Sequence, residues 1–205
     1  MSSACAALLI VDVQVDFCPG GALPVPDGDQ VIPALNRAIG YFRSRGWPIY
    51  ASRDWHPADS GHFLAFGGRW PAHCVAETPG AAFHPDLHLP ADTIVVSKGL
   101  ERTDDGYSAF GGIKDSGEQL MDDLSQRRIA RLYVGGLATE YCVRASVIDA
   151  RTAGLTVTVL VDAVAGIERD DTGRAFEDMH AAGAILGQSD ELDTPAESRK
   201  NIGTG

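Results

Sequence analysis

The chain has 205 residues, enough for one well-buried domain and short for two. Apolar residues make up 44% and charged residues 22%, as in an ordinary globular protein. Acidic residues outnumber basic ones 28 to 17, and the resulting charge of −11 repels phosphate backbones, which argues against nucleic acid or an anionic membrane as a partner.

The first strand-like run is AALLIVDV (6–13). The residues before it lack a basic cluster and its apolar part carries Asp12, so it makes a poor secretion signal. No apolar run approaches the ~20 residues that span a bilayer. Further runs are WPIYASRD (47–54), TIVVSKG (93–99), RIARLYVGG (128–136) and LTVTVLVDA (155–163), with AILG (184–187) as a candidate edge strand. Most are apolar on both faces, the pattern of parallel strands covered from both sides. Between them lie segments of helical spacing: the stripe Ile32, Leu35, Ile39 and Phe42, the stripe Val143, Val147, Ala150 and Gly154, and DDTGRAFEDMHAAGA. This alternation predicts a single α/β domain over 1–205, a doubly wound, mostly parallel sheet flanked by helices. Its core covers about 6–186, with a polar tail over 188–205.

One stretch breaks the rhythm. Residues 55–92 are rich in Gly, Pro, Trp and His with little periodicity, and so long a connection inside a domain is usually functional. Four cysteines (Cys5, Cys18, Cys74, Cys142) lie far apart without CxxC spacing, which suggests reduced thiols in a cytoplasm.

In open α/β sheets ligands bind beyond the carboxyl ends of the strands. Asp12 in the first strand, Asp54 ending the second, Lys98 ending the third and Cys142 after the fourth all converge on that edge. A carboxylate in an apolar strand needs backbone amides or a cation, and an Asp12–Lys98 pair would satisfy both groups. Cys142 follows Thr139, a plausible N-cap, by three residues. Free amides and the dipole of a helix start there, with a lysine nearby, would stabilise a thiolate. By itself Cys142 reads equally well as a small buried hydrophobe. After Asp54 come His56, His62 and His73. In RDWHP the Asp and His are two apart, so on extended backbone they share a face. One carboxylate with two or three imidazoles suits a divalent Zn, Fe or Mn ion; loop histidines with no such role are the plainer reading. GYSAF (106–110) lacks the last glycine of a nucleophile elbow, and neither a P-loop nor a dinucleotide fingerprint is present.

Taken together, IVDVQVDFCPGGALPV (10–25), SRDWHP (52–57), GHF (61–63), WPAHCV (70–75), SKG (97–99) and GGLATEYCV (135–143) resemble the nicotinamidase/pyrazinamidase branch of the isochorismatase-like cysteine hydrolases. The likeness covers roughly residues 6–186, with TEY before Cys142 where the family often has Thr-Asp followed by His or Tyr. It implies hydrolysis of nicotinamide, and of pyrazinamide, through a thioester in NAD salvage. The catalytic set would be Asp12, Lys98 and Cys142, with an oxyanion hole at the amides of Ala138 and Cys142 after a cis Leu137–Ala138 peptide. A single divalent metal would sit on Asp54, His56 and His73, with His62 a ligand in some members. Phe17, Trp70, Tyr107 and Leu137 would bind substrate. Another small-amide hydrolase of the same fold, or a non-catalytic metal-binding protein, is the alternative.

Overall fold

Residues 6–11 are apolar without a break. The structure, a computed structural model that describes residues 5–193, sets them at the centre of a seven-stranded sheet. The strands are β1 (Cys5–Val11), β2 (Ile49–Asp54), β3 (Ile94–Lys98), β4 (Ile113–Lys114), β5 (Ile129–Leu137), β6 (Thr156–Ala165) and β7 (Ile185–Gly187), in the order β4-β3-β2-β1-β5-β6-β7. Of these only β4 runs antiparallel to its neighbour.

The period of two along β1 divides the core. Ala6, Leu8 and Ile10 pack on the side of α1 (Ile32–Ser44). Ala7, Leu9 and Val11 pack on the side of α2 (Leu120–Gln126), α3 (Arg144–Thr152) and α4 (Arg169–Ala181). Burying one such large aliphatic side chain stabilises the fold by about 1.5–3 kcal/mol, which is why β1 tolerates no polar residue before Asp12. In α1 the expected stripe is buried throughout, and Pro33 sits in the first turn, where its missing N–H costs nothing.

The doubly wound sheet is as the alternation predicts, with four local differences. β1 stops at Val11, and Asp12 turns out of it with φ of 50°. The short β4 and α2 are additions to the predicted elements, because two and seven residues carry too little periodicity to stand out. Gly154 does not belong to the helical stripe: α3 ends at Thr152, and Gly154 (φ 87°) is the left-handed stop behind it. The tail begins packed, since Ser189–Asp193 forms a 3-10 turn with Leu192 buried against the α1 side. Residues 194–205 of the expected tail lie outside the described part.

The connection over 55–92 lays Cys74, Ala81 and Leu87 on the α1 face of the core. Bridges between His56 and Val75, and between Phe63 and Trp70, hold it.

Chain connectivity runs outward from β1 through β2 and β3, while β5 pairs with β1 on its other side. The crevice beyond β1 and β5 is therefore the topological switch point where such folds bind ligands. Gly136 lets the two strands meet there: its φ is 127°, and a Cβ would lie 2.0 Å from the carbonyl oxygen of Val11.

Candidate active site

Asp12 sits at the switch point because its left-handed backbone, sparsely populated for non-glycine residues, ends β1. Its carboxylate is fully buried, accepting from Ser52 Oγ at 2.7 Å and facing Lys98 Nζ at 2.7 Å. The lysine ammonium also donates to Asp54 Oδ1 and to the carbonyl of Gly106, each at 2.5 Å, and stands 3.4 Å from Cys142 Sγ. Asp12, Asp54 and Cys142 each place an atom within 4.8 Å of the others. The convergence expected of Asp12, Asp54, Lys98 and Cys142 is thus what the fold produces, by a route sequence spacing does not contain. Gln14 is part of that route: its side chain donates to the carbonyls of Asp54 and Ala81 and accepts from the amide of Asp54.

The cysteine is carried differently from the expectation. Thr139 is not an N-cap; the turn Thr139–Val143 is a single π-helical turn capped by Ala138, and the hydroxyl of Thr139 makes no hydrogen bond among the described residues. The peptide between Leu137 and Ala138 is cis, and the amide of Ala138 donates to no group among the described residues. Cys142 is only 7% exposed.

Burial decides the charges here. It lifts the Asp12 carboxyl above its usual 3.8, more than Lys98 pulls it down, and the neighbouring Asp54 adds to the rise. Asp54 is just as buried, yet Lys98 and His56 outweigh the burial and hold it below the usual carboxylate range. Lys98 loses to burial less than it gains from Asp12 and Asp54, so its ammonium is firmly protonated. Burial likewise drives the Cys142 thiol well above its ordinary value, with Lys98 offsetting only part. Burial thus opposes the resting thiolate that a helix start alone would favour. One ammonium already shared by two carboxylates cannot also hold a third negative charge.

Beside Asp54 the three histidines meet. His56, His62 and His73 have ring centroids 5.1 to 5.5 Å apart and each offers an atom within 4.8 Å of the other two. Each ring uses Nδ1 outward: His56 on the carbonyl of Gly99 (3.1 Å), His73 on that of Pro71 (2.7 Å), His62 on Asp105 Oδ1 (3.1 Å). These partners only accept, so Nδ1 carries the proton and Nε2 keeps its lone pair. Nε2 of His56 is buried without a hydrogen-bond partner, 3.6 Å from Asp54 Oδ2. Burial also holds His62 and His73 neutral, His73 down to about 4. Neutral, oriented imidazoles backed by acceptors, beside a low-pKa carboxylate, are the donor set of a divalent transition metal. The residues present fit such an ion.

In front of both clusters lies a pocket with about 400 Å3 of empty space, its open mouth included. Phe17, Trp70 and Tyr107 line it as expected, with Asp54, His62, His73, Ala138 and Cys142. Leu137 does not: it is wholly buried in the core on the α1 side, while the next residue, Ala138, lines the pocket. Asp12, Lys98 and His56 stand behind the wall. Leu23, Val25, Asp105, Tyr141 and Ile167 complete the lining and are not among the residues expected from sequence. Tyr141 could have been found, since it adjoins Cys142 and stacks on Tyr107 (centroids 6.0 Å) while meeting Trp70 edge-on (5.1 Å). Asp16 fastens this front together by accepting from the amides of Cys74 (2.7 Å) and Ala22 (3.1 Å), which sets Phe17 against the ring of His73.

A buried thiol, carboxylate and ammonium at the switch point of a doubly wound sheet, opening on a pocket of aromatic walls, define a hydrolase of the α/β class. The chain belongs to the isochorismatase family, whose isochorismatase domain matches residues 6–191. It is 42% identical to the nicotinamidase of Escherichia coli (strain K12), over 88% of this chain and 93% of that one. It is 40% identical to the nicotinamidase/pyrazinamidase of Mycobacterium tuberculosis (strain ATCC 25618 / H37Rv), over 88% and 97%. Among solved structures, the pyrazinamidase of Pyrococcus horikoshii in complex with zinc superposes with a TM-score of 0.84 at 46% identity, over 89% of this chain and 98% of that one.

Proposed function

We propose that the protein is a nicotinamidase, hydrolysing nicotinamide, and pyrazinamide with it, to the pyridine or pyrazine acid and ammonia. The observation that carries this is one pocket that joins a thiol–carboxylate–ammonium cluster to a histidine cluster across Asp54. Likeness to relatives of that activity supports it.

The chemistry follows from charge. With Asp12 and Asp54 ionised and Lys98 protonated the cluster carries one net negative charge, so an extra thiolate is resisted. Passing the thiol proton of Cys142 to Asp12 moves the charge from oxygen to sulfur without changing the total, and burial then adds no new penalty. The raised pKa of Asp12 makes it the stronger base for this transfer. Lys98, 3.4 Å from the sulfur, stabilises the thiolate as it forms. Sulfur attacks the carboxamide carbon, and the amides of Ala138 and Cys142 receive the oxyanion. Asp12 returns its proton to the departing ammonia, then draws one from the water that opens the thioester. Asp54, His56 and His73, with His62, would hold a divalent Zn, Fe or Mn ion. Such an ion would supply a Lewis-acid contact, direct or through water, for the ring nitrogen. Phe17, Trp70 and Tyr107 enclose the ring's faces.

Unpaired thiols at all four cysteines support a reducing compartment, so we place the enzyme in the cytoplasm, feeding NAD salvage. No helix among the described residues is long and apolar enough to cross a membrane.

The direct test is ammonia release from nicotinamide, with and without chelator; no release from metal-replete enzyme ends this reading. Elemental analysis should find about one transition-metal ion per chain. Alanine at His56 or His73 should remove most of it, and full occupancy in either variant would take that residue out of the ligand set. The acid limb of kcat/KM is a second check. The pKa of Asp12 is raised and the base must be ionised, so activity should fall as pH drops through a value above the ordinary 3.8. A limb at or below 3.8 would mean another base.

A further inference from the structure

Glu140 has no task in the chemistry above, although it stands two residues before Cys142 in the nucleophile turn. Its Oε1 accepts from the amides of Ile167 (2.7 Å) and Glu168 (3.1 Å), 27 and 28 residues further on. Ile167 lines the pocket alongside Tyr141 and Cys142. Glu168 is the N-cap of α4, and its own side chain makes no capping bond. The carboxylate of Glu140 thus satisfies from outside the helix the amide of the N-cap residue and of the residue before it, and a negative charge at a helix N-terminus is favourable. The second oxygen, Oε2, is buried without a hydrogen-bond partner. It is pressed against Gly166, where a Cβ would lie 2.5 Å from it and 2.0 Å from Thr172 Oγ1.

We propose that Glu140 is a positioning residue for substrate selection: it clamps the segment after β6 to the nucleophile turn, so that Ile167 forms a fixed wall against the ring of a flat heteroaromatic amide. Cysteine and pocket wall come from different strands, β5 and β6, and this carboxylate bridges their ends directly. Loss of the clamp frees the wall while Asp12, Lys98 and Cys142 stay in place, so binding suffers before chemistry does. The inference rests on the amidase reading for its substrate, but the clamp itself has a readout that does not.

The experiment combines amide hydrogen exchange with nicotinamide kinetics on Glu140→Ala, Glu140→Gln, Ile167→Ala and the Glu140→Ala/Ile167→Ala double variant. In Glu140→Ala the amides of Ile167 and Glu168 should exchange faster; in Glu140→Gln, which keeps an acceptor, they should stay protected. KM should rise about tenfold or more in Glu140→Ala and Ile167→Ala, with kcat within about threefold of the parent. The double variant should be no worse than the poorer single one, since both remove the same wall. Additive losses, an unchanged KM with a lowered kcat, or a glutamine variant as poor as alanine would overturn the proposal. Unchanged exchange would do so whatever the substrate. An inactive parent enzyme with the expected exchange pattern would uphold the clamp and end the nicotinamidase reading instead. Should Glu140→Ala not fold, Gly166→Ala keeps Glu140 in the chain, but its Cβ crowds Oε2 and Thr172 Oγ1 and so pushes the carboxylate off its two amides; it should reproduce the KM rise, and an unchanged KM there would also overturn the clamp.

Discussion

Cys142→Ala is expected to abolish amide hydrolysis, with kcat down by at least on the order of 10⁴. The size follows from the cluster's construction. Asp12 has no second nucleophile that reaches the pocket: among the described residues Ser52, which donates to it, is wholly buried and lines no part of the pocket, and Lys98 is firmly protonated. Water could replace the thiol only by fitting the space between Asp12 and the carboxamide without the sulfur's fixed position. The same substitution should leave the fold nearly intact, because alanine keeps the apolar contacts of a side chain that is 7% exposed and loses one sulfur atom. Metal content should also be unchanged, since Asp54 and the histidines keep their own partners. Mass spectrometry of the parent enzyme during turnover should catch an acyl group on Cys142, its mass matching the substrate acid less water. Ordinary turnover by Cys142→Ala would remove the nucleophile assignment, and Asp12 would then have to be read as the base for a directly attacking water.

The central strands are legible in the sequence because they are buried on both faces, and an unbroken apolar run as short as residues 6–11 fits a covered parallel strand best. The strand-end rule then brings Asp12, Asp54, Lys98 and Cys142 together without any knowledge of distances. What escapes reading depends on long-range geometry. Leu137 is expected against the substrate, yet it is wholly buried while its neighbour Ala138 lines the pocket, a difference that no local pattern shows. Gln14, which locks Asp54, and Asp105, which orients His62, carry no local signature: their partners are 40 and 43 residues away. The resting state of Cys142 is hidden for a related reason. Its place in a helical turn is local, but its proton affinity is set by burial and by a lysine that two other residues already occupy.

Benzamide is expected to be a far poorer substrate than nicotinamide, by at least on the order of 10² in kcat/KM. Nicotinamide and pyrazinamide carry a ring nitrogen meta to the carbon that bears the carboxamide; benzamide has only C–H there. The thiol chemistry barely senses that difference, and the aromatic walls of Phe17, Trp70 and Tyr107 offer all three rings the same flat contact. Discrimination must therefore come from a polar feature of the pocket, and His62, His73 and Asp54 line the side on which one is available. A metal on those residues would give the ring nitrogen a partner. An analogue lacking the nitrogen would leave that partner without its ring contact, the situation that makes polar recognition selective. Chelation should accordingly slow nicotinamide strongly and erase most of the preference, while benzamide turnover changes little. Equal rates on the two amides in metal-replete enzyme would refute this orienting role even if Cys142 proved essential, and the histidine cluster would then be a structural tie between the residue 55–92 connection and the sheet.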